Sequence, residues 1–311
     1  MDYLLGVSDI SRQGNLRFAR GSGPFLEVRD DVPKIVALPH LLSASDRVVD
    51  SEGDELSAVK VLLEAGSGSL GGARPKASVR GDDGVLLLAK FPHRDDDWDV
   101  MGWEKTMLDL AGRSGLRVPI SQLARVGRRN VLLLQRFDRT TGDGRLGYIS
   151  AMTLLGARDG DERDYEDIAE SLSESGAAVN QDLTELFGRV VFNVAVHNTD
   201  DHLRNHGLLR RRGGWTLSPV FDVNPDPDPD RSRRTAILGA AEPGDEIPAL
   251  LDFAQTCRMT RERAVEVIGR VVEVVRDWRD AVAVNGISRR EQSRFAEVLD
   301  DRVRRLTDLT R

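Results

Sequence analysis

The spacing of apolar and polar positions divides this chain into a front part of short strands and a rear part of helices. In the front part, Tyr3-Leu-Leu-Gly-Val and Leu16-Arg-Phe predict two strands. Residues 77–80 and 84–90 predict two more, split by Gly81-Asp-Asp-Gly84, a composition that favours a tight hairpin. Val131-Leu-Leu-Leu134 predicts a further buried strand. Helical spacing covers 37–47, 55–65 (Leu56, Val59, Leu62 and Leu63 on one face) and 97–113. Helices are then predicted over 163–173, 180–189, 260–282 and 289–308. In 260–282 the repeat of Ala264, Val267, Ile268, Val271, Val274, Val275 and Trp278 predicts core packing and nothing more. Residues 190–196, Val-Val-Phe-Asn-Val-Ala-Val, form an unbroken apolar run that predicts a buried strand, and Gly207-Leu-Leu with Trp215-Thr-Leu predicts a short hairpin.

The chemistry is concentrated after that apolar run. From His197 to Gly207 the chain reads His-Asn-Thr-Asp-Asp-His-Leu-Arg-Asn-His-Gly, and Phe221-Asp222-Val223 follows the hairpin. Asp200 stands five residues before Asn205, and Asp222 a further seventeen on. Phosphoryl transfer from ATP needs this set. One Asp orients and accepts the proton of the attacking hydroxyl, an Asn holds a metal ion, and a second Asp holds the metal bridging the phosphates.

A glycine-rich stretch, Gly66-Ser-Gly-Ser-Leu-Gly-Gly-Ala-Arg-Pro-Lys76, precedes the first hairpin. It contains a GxGxxG spacing, but a helix is predicted before it and a strand after it, the reverse of a dinucleotide-binding turn. A glycine loop covering phosphates, followed by a strand lysine that neutralises them, fits better. Lys90 closes the apolar strand Leu86-Leu-Leu-Ala-Lys90, where a charge is costly without an anion; a snorkelling edge lysine is the bland alternative. Lys76 is a second phosphate candidate. On the 97–113 helix, Glu104 is a candidate partner for Lys90, or simply an exposed acid. The segment Asn-Pro-Asp-Pro-Asp-Pro-Asp at 224–230 predicts an extended acidic loop, either a stiff connector or a substrate-docking segment, because its prolines remove donors and bar helix.

Composition changes this picture little. The 311 residues, 40% of them hydrophobic, suffice for one large or two modest domains. A net charge of −7 gives no global reason to bind nucleic acid or an anionic membrane, and Arg210 to Arg212 and Arg231 to Arg234 read as solvated basic turns. The single Cys257 excludes an intrachain disulfide and reads as a packed thiol. No apolar run is long enough to span a bilayer and no leader follows Met1, so a soluble, cytoplasmic protein is expected.

Five separated motifs carry a family resemblance over about residues 1–255: Ser69-Leu-Gly-Gly-Ala-Arg-Pro-Lys76, Leu88-Ala-Lys90-Phe-Pro92, Arg136-Phe-Asp-Arg139, Thr199-Asp-Asp-His-Leu-Arg-Asn205 and Leu217-Ser-Pro-Val-Phe-Asp222. Together they resemble the HipA-like serine/threonine kinases, the toxins of bacterial toxin–antitoxin modules. The resemblance implies an α+β, two-lobed, protein-kinase-like fold: a mixed β-rich N-lobe at 1–134, a connector at 135–139 and a mainly α-helical C-lobe at 140–311. It implies Asp200 as catalytic base, and Asn205 and Asp222 as Mg²⁺ ligands. It implies ATP contacts from Gly71, Gly72, Ala73, Arg74, Pro75, Lys76, Lys90, Gln135, Arg136, Phe137, His202, Leu203, Arg204, Asn205, Phe221 and Asp222. Asp201 rivals Asp200, but only Asp200 has the five-residue spacing to Asn205. The family usually has Glu where Gln135 stands, which matters little where hinge contacts come from backbone groups. The resemblance further implies autophosphorylation at Ser69 (Ser67 is its neighbour), an aminoacyl-tRNA synthetase as protein substrate, and a helix-turn-helix antitoxin as partner. Family members carry a further small β-rich subdomain before the Tyr3 segment. Here it is either absent or supplied by a separate small subunit.

Three other readings use some of the same residues. A metal-dependent hydrolase could gather His197, Asp200, Asp201, His202 and His206, but leaves Lys90, the glycine loop and Phe221-Asp-Val223 idle. A small-molecule kinase of the aminoglycoside type uses a similar base-and-amide loop, with its His two residues before the Asp, whereas His197 precedes Asp200 by three. A catalytically silent module that sequesters a DNA-binding partner would not need Asp200, Asn205, Asp222 and Lys90 intact.

Overall fold

The computed structural model describes residues 8–28, 32–50, 74–140, 142 and 144–311. The expected strand at Tyr3, the helix at 55–65, and the loop residues Gly66 to Ala73 with Ser67 and Ser69 lie outside the described residues. By internal contacts the chain divides into two units. One takes residues up to Gly102 together with Pro119–Gly147, and the other takes Trp103–Val118 together with Tyr148–Arg311.

The first unit is built on a four-stranded antiparallel sheet in the order β1-β2-β4-β3: β1 (Lys76–Arg80), β2 (Leu86–Lys90), β3 (Ser121–Val126) and β4 (Arg129–Gln135). The Gly81–Gly84 turn closes the β1–β2 hairpin as predicted. Gly84 takes a left-handed φ of 82° and the Gly81 N–H donates to the Val85 carbonyl at 2.9 Å. Alternation sets the two faces of the sheet. Ala77, Val79, Ala89, Phe91, Val131 and Leu133 turn one way and pack on Leu38, Leu41 and Leu42 of α1 (Leu38–Asp50). The other face carries Lys76, Ser78 and Lys90, all buried.

Leu16–Phe18 is not a strand; an isolated bridge, Ala19 to Phe25, stands near it. Arginines fix this segment instead. Arg136 donates to the carbonyls of Ser11 and Arg12, Arg139 to those of Ile10, Arg12 and Gly14, and both pair with the buried Asp138.

The second unit is mainly helical. After α2 (Val100–Arg113), which opens at the unit boundary, come β5 (Tyr148–Ser150), α3 (Ala151–Leu154), α4 (Tyr165–Ser175), α5 (Val179–Ala195), β6 (Gly207–Arg211), β7 (Gly214–Leu217), α6 (Glu246–Thr256), α7 (Arg261–Arg276), α8 (Trp278–Val284) and α9 (Arg289–Leu309). Start signals are local: Asp164 and Asp167 form a capping box on α4, and Thr260 and Ser288 cap α7 and α9. The predicted single helix over 260–282 breaks at Asp277 into α7 and α8. The apolar positions of its repeat are buried as expected, except that Val274 is half-buried. Trp103 packs with its ring centroid 4.1 Å from Phe295 and 6.1 Å from Trp278.

The predicted strand at 190–196 is a correction. Val190 to Ala195 are the last turns of α5, whose residues from Leu186 to Ala195 are all buried. A helix enclosed on every side carries apolar residues on every face, so its 3.6-residue period disappears and it reads like a buried strand. Cys257 is buried and free, and burial raises its thiol to about 12, so it stays protonated and inert. Among the described residues, no helix is long and apolar enough to cross a membrane.

Candidate active site

Helix α5 ends in a turn that launches the candidate catalytic loop. His197 takes a left-handed φ of 52°. Its N–H donates to the Val194 carbonyl at 3.2 Å, and the Asn198 N–H reaches back to Asn193 at 2.8 Å. This is the Schellman pattern that satisfies orphan carbonyls at a helix end. The His197 ring is buried, its Nε2 donating to the Asp228 carbonyl at 2.8 Å. Burial, with Arg302 in second place, lowers its pKa, so it is neutral.

The acidic segment at 224–230 therefore braces the loop. The Asp226 N–H donates to the His197 carbonyl at 2.9 Å, and the Thr199 hydroxyl donates to Asp226 Oδ2 at 3.2 Å. Asp226 and Asp228 accept the N–H groups of Asp228 and Asp230, which keeps the segment turned. The stiff connector expected from its prolines is a clamp on the loop before Asp200.

Asp200 and Asp201 are placed in opposite environments. Asp201 is buried, and three donors converge on its Oδ2: the Tyr165 hydroxyl at 2.5 Å, Asn193 Nδ2 at 2.8 Å and His206 Nε2 at 2.7 Å. Burial raises its pKa, but His206, Tyr165 and Arg233 outweigh burial and hold it below the usual carboxylate range. Its carbonyl accepts the Thr235 hydroxyl at 2.8 Å. The Asp200 side chain is 74% exposed and, among the described residues, its carboxylate meets only Arg234, Nε to Oδ1 at 3.2 Å. Only Asp200 is open to an incoming hydroxyl.

Asn205 is buried at the end of a single 3₁₀ turn, Leu203–Asn205. Its Nδ2 donates to the Asp200 carbonyl at 3.5 Å, which leaves Oδ1 as the acceptor of the group. Asp222 takes a left-handed φ of 61°, a conformation that Asp tolerates better than most residues. Its N–H donates to Glu104 Oε1 at 3.2 Å, and Glu104 is buried. Glu104 is thus not the exposed acid of the bland reading. An amide oxygen held through its own Nδ2 and a carboxylate held through its own backbone N–H are hard donors that suit Mg²⁺.

The other expected contact residues fall as follows. Lys76 and Lys90 are direct partners across β1–β2, both buried on the face away from α1. Arg74 forms a two-bond pair with Asp96, and the Pro75 carbonyl accepts the Phe91 N–H. Gln135 ends β4, its N–H donating to the Ile120 carbonyl at 2.8 Å; Phe137 is half-buried; the Arg136 side chain is taken up by Asp138 and the segment before it. Leu203 is buried, His202 and Phe221 are half-buried, and the exposed Arg204 pairs with Asp159.

The five residues of the hydrolase reading do not form a ligand cluster. His197 is spent on Asp228 and His206 on Asp201, and among the described residues no group of three or more His, Cys, Asp or Glu is placed to hold a metal.

The sequence reading missed a polar chain behind the loop. Arg233 is buried and donates to Glu246 at 2.6 Å and to the Tyr165 hydroxyl at 3.3 Å; Arg302 of α9 donates to the second Glu246 oxygen. Arg231 to Arg234 is therefore no uniform solvated turn. Adjacent arginines give no local signal of which one is buried; only the fold puts Arg233 inside and Arg234 outside.

Residues 68–278 match the family described as the HipA-like C-terminal domain, more than half of the chain. The chain belongs to that family. No curated protein matches it in sequence. Among solved structures, a chain of the Shewanella oneidensis MR-1 toxin–antitoxin complex of HipA, HipB and operator DNA is similar with a TM-score of 0.59 at 17% identity, covering 76% of this chain and 64% of that one. This HipA-like chain thus spans less than two thirds of that relative. The Helicobacter pylori proinflammatory kinase CtkA gives a TM-score of 0.46 at 14% identity, over 77% of this chain and 94% of that one. The fold is kinase-like and α+β, with antiparallel sheets and many helices.

Proposed function

We propose that this chain is an ATP- and Mg²⁺-dependent serine/threonine protein kinase of the HipA type. The observation that carries the reading is the contrast between Asp200, exposed, and Asp201, buried under three donors that include His206, the residue five positions on. A kinase loop needs one acid free for the acceptor hydroxyl, and the free acid here is the one with the right spacing to Asn205. Bound Mg-ATP supplies the phosphoryl group and the charge neutralisation that its transfer needs. Asp200 orients the hydroxyl and accepts its proton, Asn205 and Asp222 hold the metal, and Lys76 and Lys90 take the phosphates. The expected lobes at 1–134 and 140–311, the connector at 135–139 and the remaining contact residues belong to the same proposal.

By analogy with the HipA–HipB complex, the chain acts as the toxin of a toxin–antitoxin module, held by a helix-turn-helix antitoxin, with or without a separate β-rich subunit. DNA contact then falls to the antitoxin, since this chain carries a net charge of −7. A cytoplasmic aminoacyl-tRNA synthetase is the protein substrate this reading proposes, by resemblance to the family alone, and phosphorylation of Ser69 shuts the enzyme off by placing about two negative charges where the ATP phosphates belong. Purified protein incubated with labelled Mg-ATP should transfer label to protein, including its own peptide spanning 66–76. Absence of both nucleotide binding and transfer overturns the reading.

A further inference from the structure

Arg234 sits against the proposed base by construction rather than by chance of a long side chain. Its N–H donates to the Thr199 carbonyl at 2.9 Å, one residue before Asp200. On its far side Thr235 donates to the Asp201 carbonyl at 2.8 Å. On its near side Arg233 is buried, with its N–H on the Ala241 carbonyl and its guanidinium on Glu246 and Tyr165. Residues 233–235 thus run beside 199–201 with both flanks tied down, and the alternation leaves the Arg234 side chain outside. There its Nε meets Asp200 Oδ1 at 3.2 Å, with 65% of the side chain open to solvent.

An exposed ion pair of this kind contributes little to stability, about 0–1 kcal/mol. A fixed backbone holding an arginine at an acid for so little gain calls for another use. Nε occupies one edge of the guanidinium, and the two Nη groups form a planar fork that suits phosphate oxygens. A hydroxyl held by Asp200 lies within hydrogen-bond distance of the carboxylate, and the phosphorus it attacks is about 3–3.5 Å further on. A guanidinium already touching the same carboxylate reaches the oxygens of that phosphoryl group without moving its backbone.

We propose that Arg234 is a further catalytic residue, which binds the phosphoryl group in flight through its Nη groups while its Nε keeps Asp200 oriented. The inference rests on the kinase reading above. In the transfer, the bond from phosphorus to the ADP oxygen breaks as the bond to the acceptor oxygen forms. The acceptor proton passes to Asp200, and the charge spread over the equatorial phosphoryl oxygens is met by Arg234.

The test compares the chain with Arg234→Ala, Arg234→Lys and, as a control, Arg231→Ala, the neighbouring exposed arginine whose guanidinium stands 3.9 Å from Asp226. Calorimetry measures binding of Mg-ADP alone and of Mg-ADP with aluminium fluoride, which mimics the phosphoryl group in flight. The wild type should bind the mimic more tightly than Mg-ADP. Arg234→Ala should keep Mg-ADP affinity within twofold, lose at least tenfold in affinity for the mimic, and lose about 10³-fold or more in turnover. Arg234→Lys should recover part of both losses, because it restores a point charge without the fork. Wild-type behaviour of Arg234→Ala in mimic affinity and turnover, in a protein whose wild type does transfer phosphate, overturns this proposal and leaves the kinase reading standing. A wild type that binds neither nucleotide form overturns both.

Discussion

Lys76 and Lys90 are direct partners across the β1–β2 ladder, so both side chains leave the same face of the sheet. Ala77 and Ala89, the next pair, face the α1 core, which fixes the lysines on the opposite face. In the kinase reading proposed above, the phosphates of ATP occupy that face.

In the kinase reading Lys90 takes a phosphate of ATP, so Lys90→Met should sharply reduce the rise in melting temperature produced by saturating Mg-ATP. That rise reports affinity through mass action, about 2.7 kcal/mol at a hundredfold excess over Kd. A scan with and without nucleotide decides it. A variant that melts lower without ligand and keeps the full Mg-ATP shift would make Lys90 structural.

Asp200 and Asp201 separate stability from chemistry. Asp201→Ala strands the Tyr165 hydroxyl, Asn193 and His206 in the interior and should cost about 3–5 kcal/mol. Asp200→Ala removes an exposed side chain and should change stability by no more than about 0.5 kcal/mol. Urea denaturation of the two variants checks the ordering, and the reverse ordering would exchange their roles.

Glu104 holds the backbone of Asp222 in its left-handed turn. Glu104→Ala should raise the Mg²⁺ concentration needed for tight nucleotide binding by tenfold or more, while metal-free ATP binds as before. Glu104→Gln keeps an acceptor oxygen and should recover much of that loss. Titrations of Mg²⁺ at fixed ATP read both, and equal weakening with and without metal would contradict the role.

Burial lowers the pKa of His197 in the folded protein. The unfolded chain then takes up its proton near pH 6.5 while the folded chain stays neutral, so this group costs stability as pH falls below about 6.5. Wild-type stability should decline between pH 7 and pH 5, and His197→Asn should flatten that decline. Unfolding at several pH values measures it; equal slopes for both proteins would remove His197 as the cause.

The parts of this arrangement visible in the sequence are those set by local spacing. The Gly81–Gly84 hairpin, the strand through Val131 to Leu134 and the spacing of Asp200, Asn205 and Asp222 could be read directly. The last turns of helix α5, Val190 to Ala195, could not, because enclosure on all sides removes the periodicity that distinguishes helix from strand. Nor could the burial of Arg233, whose partners Tyr165 and Glu246 lie 68 and 13 residues away and declare nothing locally. The role of the acidic segment was hidden for the same reason: its prolines exclude helix, but only the fold brings Asp226 and Asp228 onto His197 and Thr199.

The central claim is that Asp200 serves as the base of a Mg-ATP-dependent phosphoryl transfer, and Asp200→Asn tests it most directly, since the amide keeps the shape and removes the charge. Turnover and Mg-ATP affinity should be measured on the same preparation. The account predicts a fall in turnover of about 10²–10⁴-fold with affinity nearly unchanged. Near-normal turnover in Asp200→Asn would contradict it.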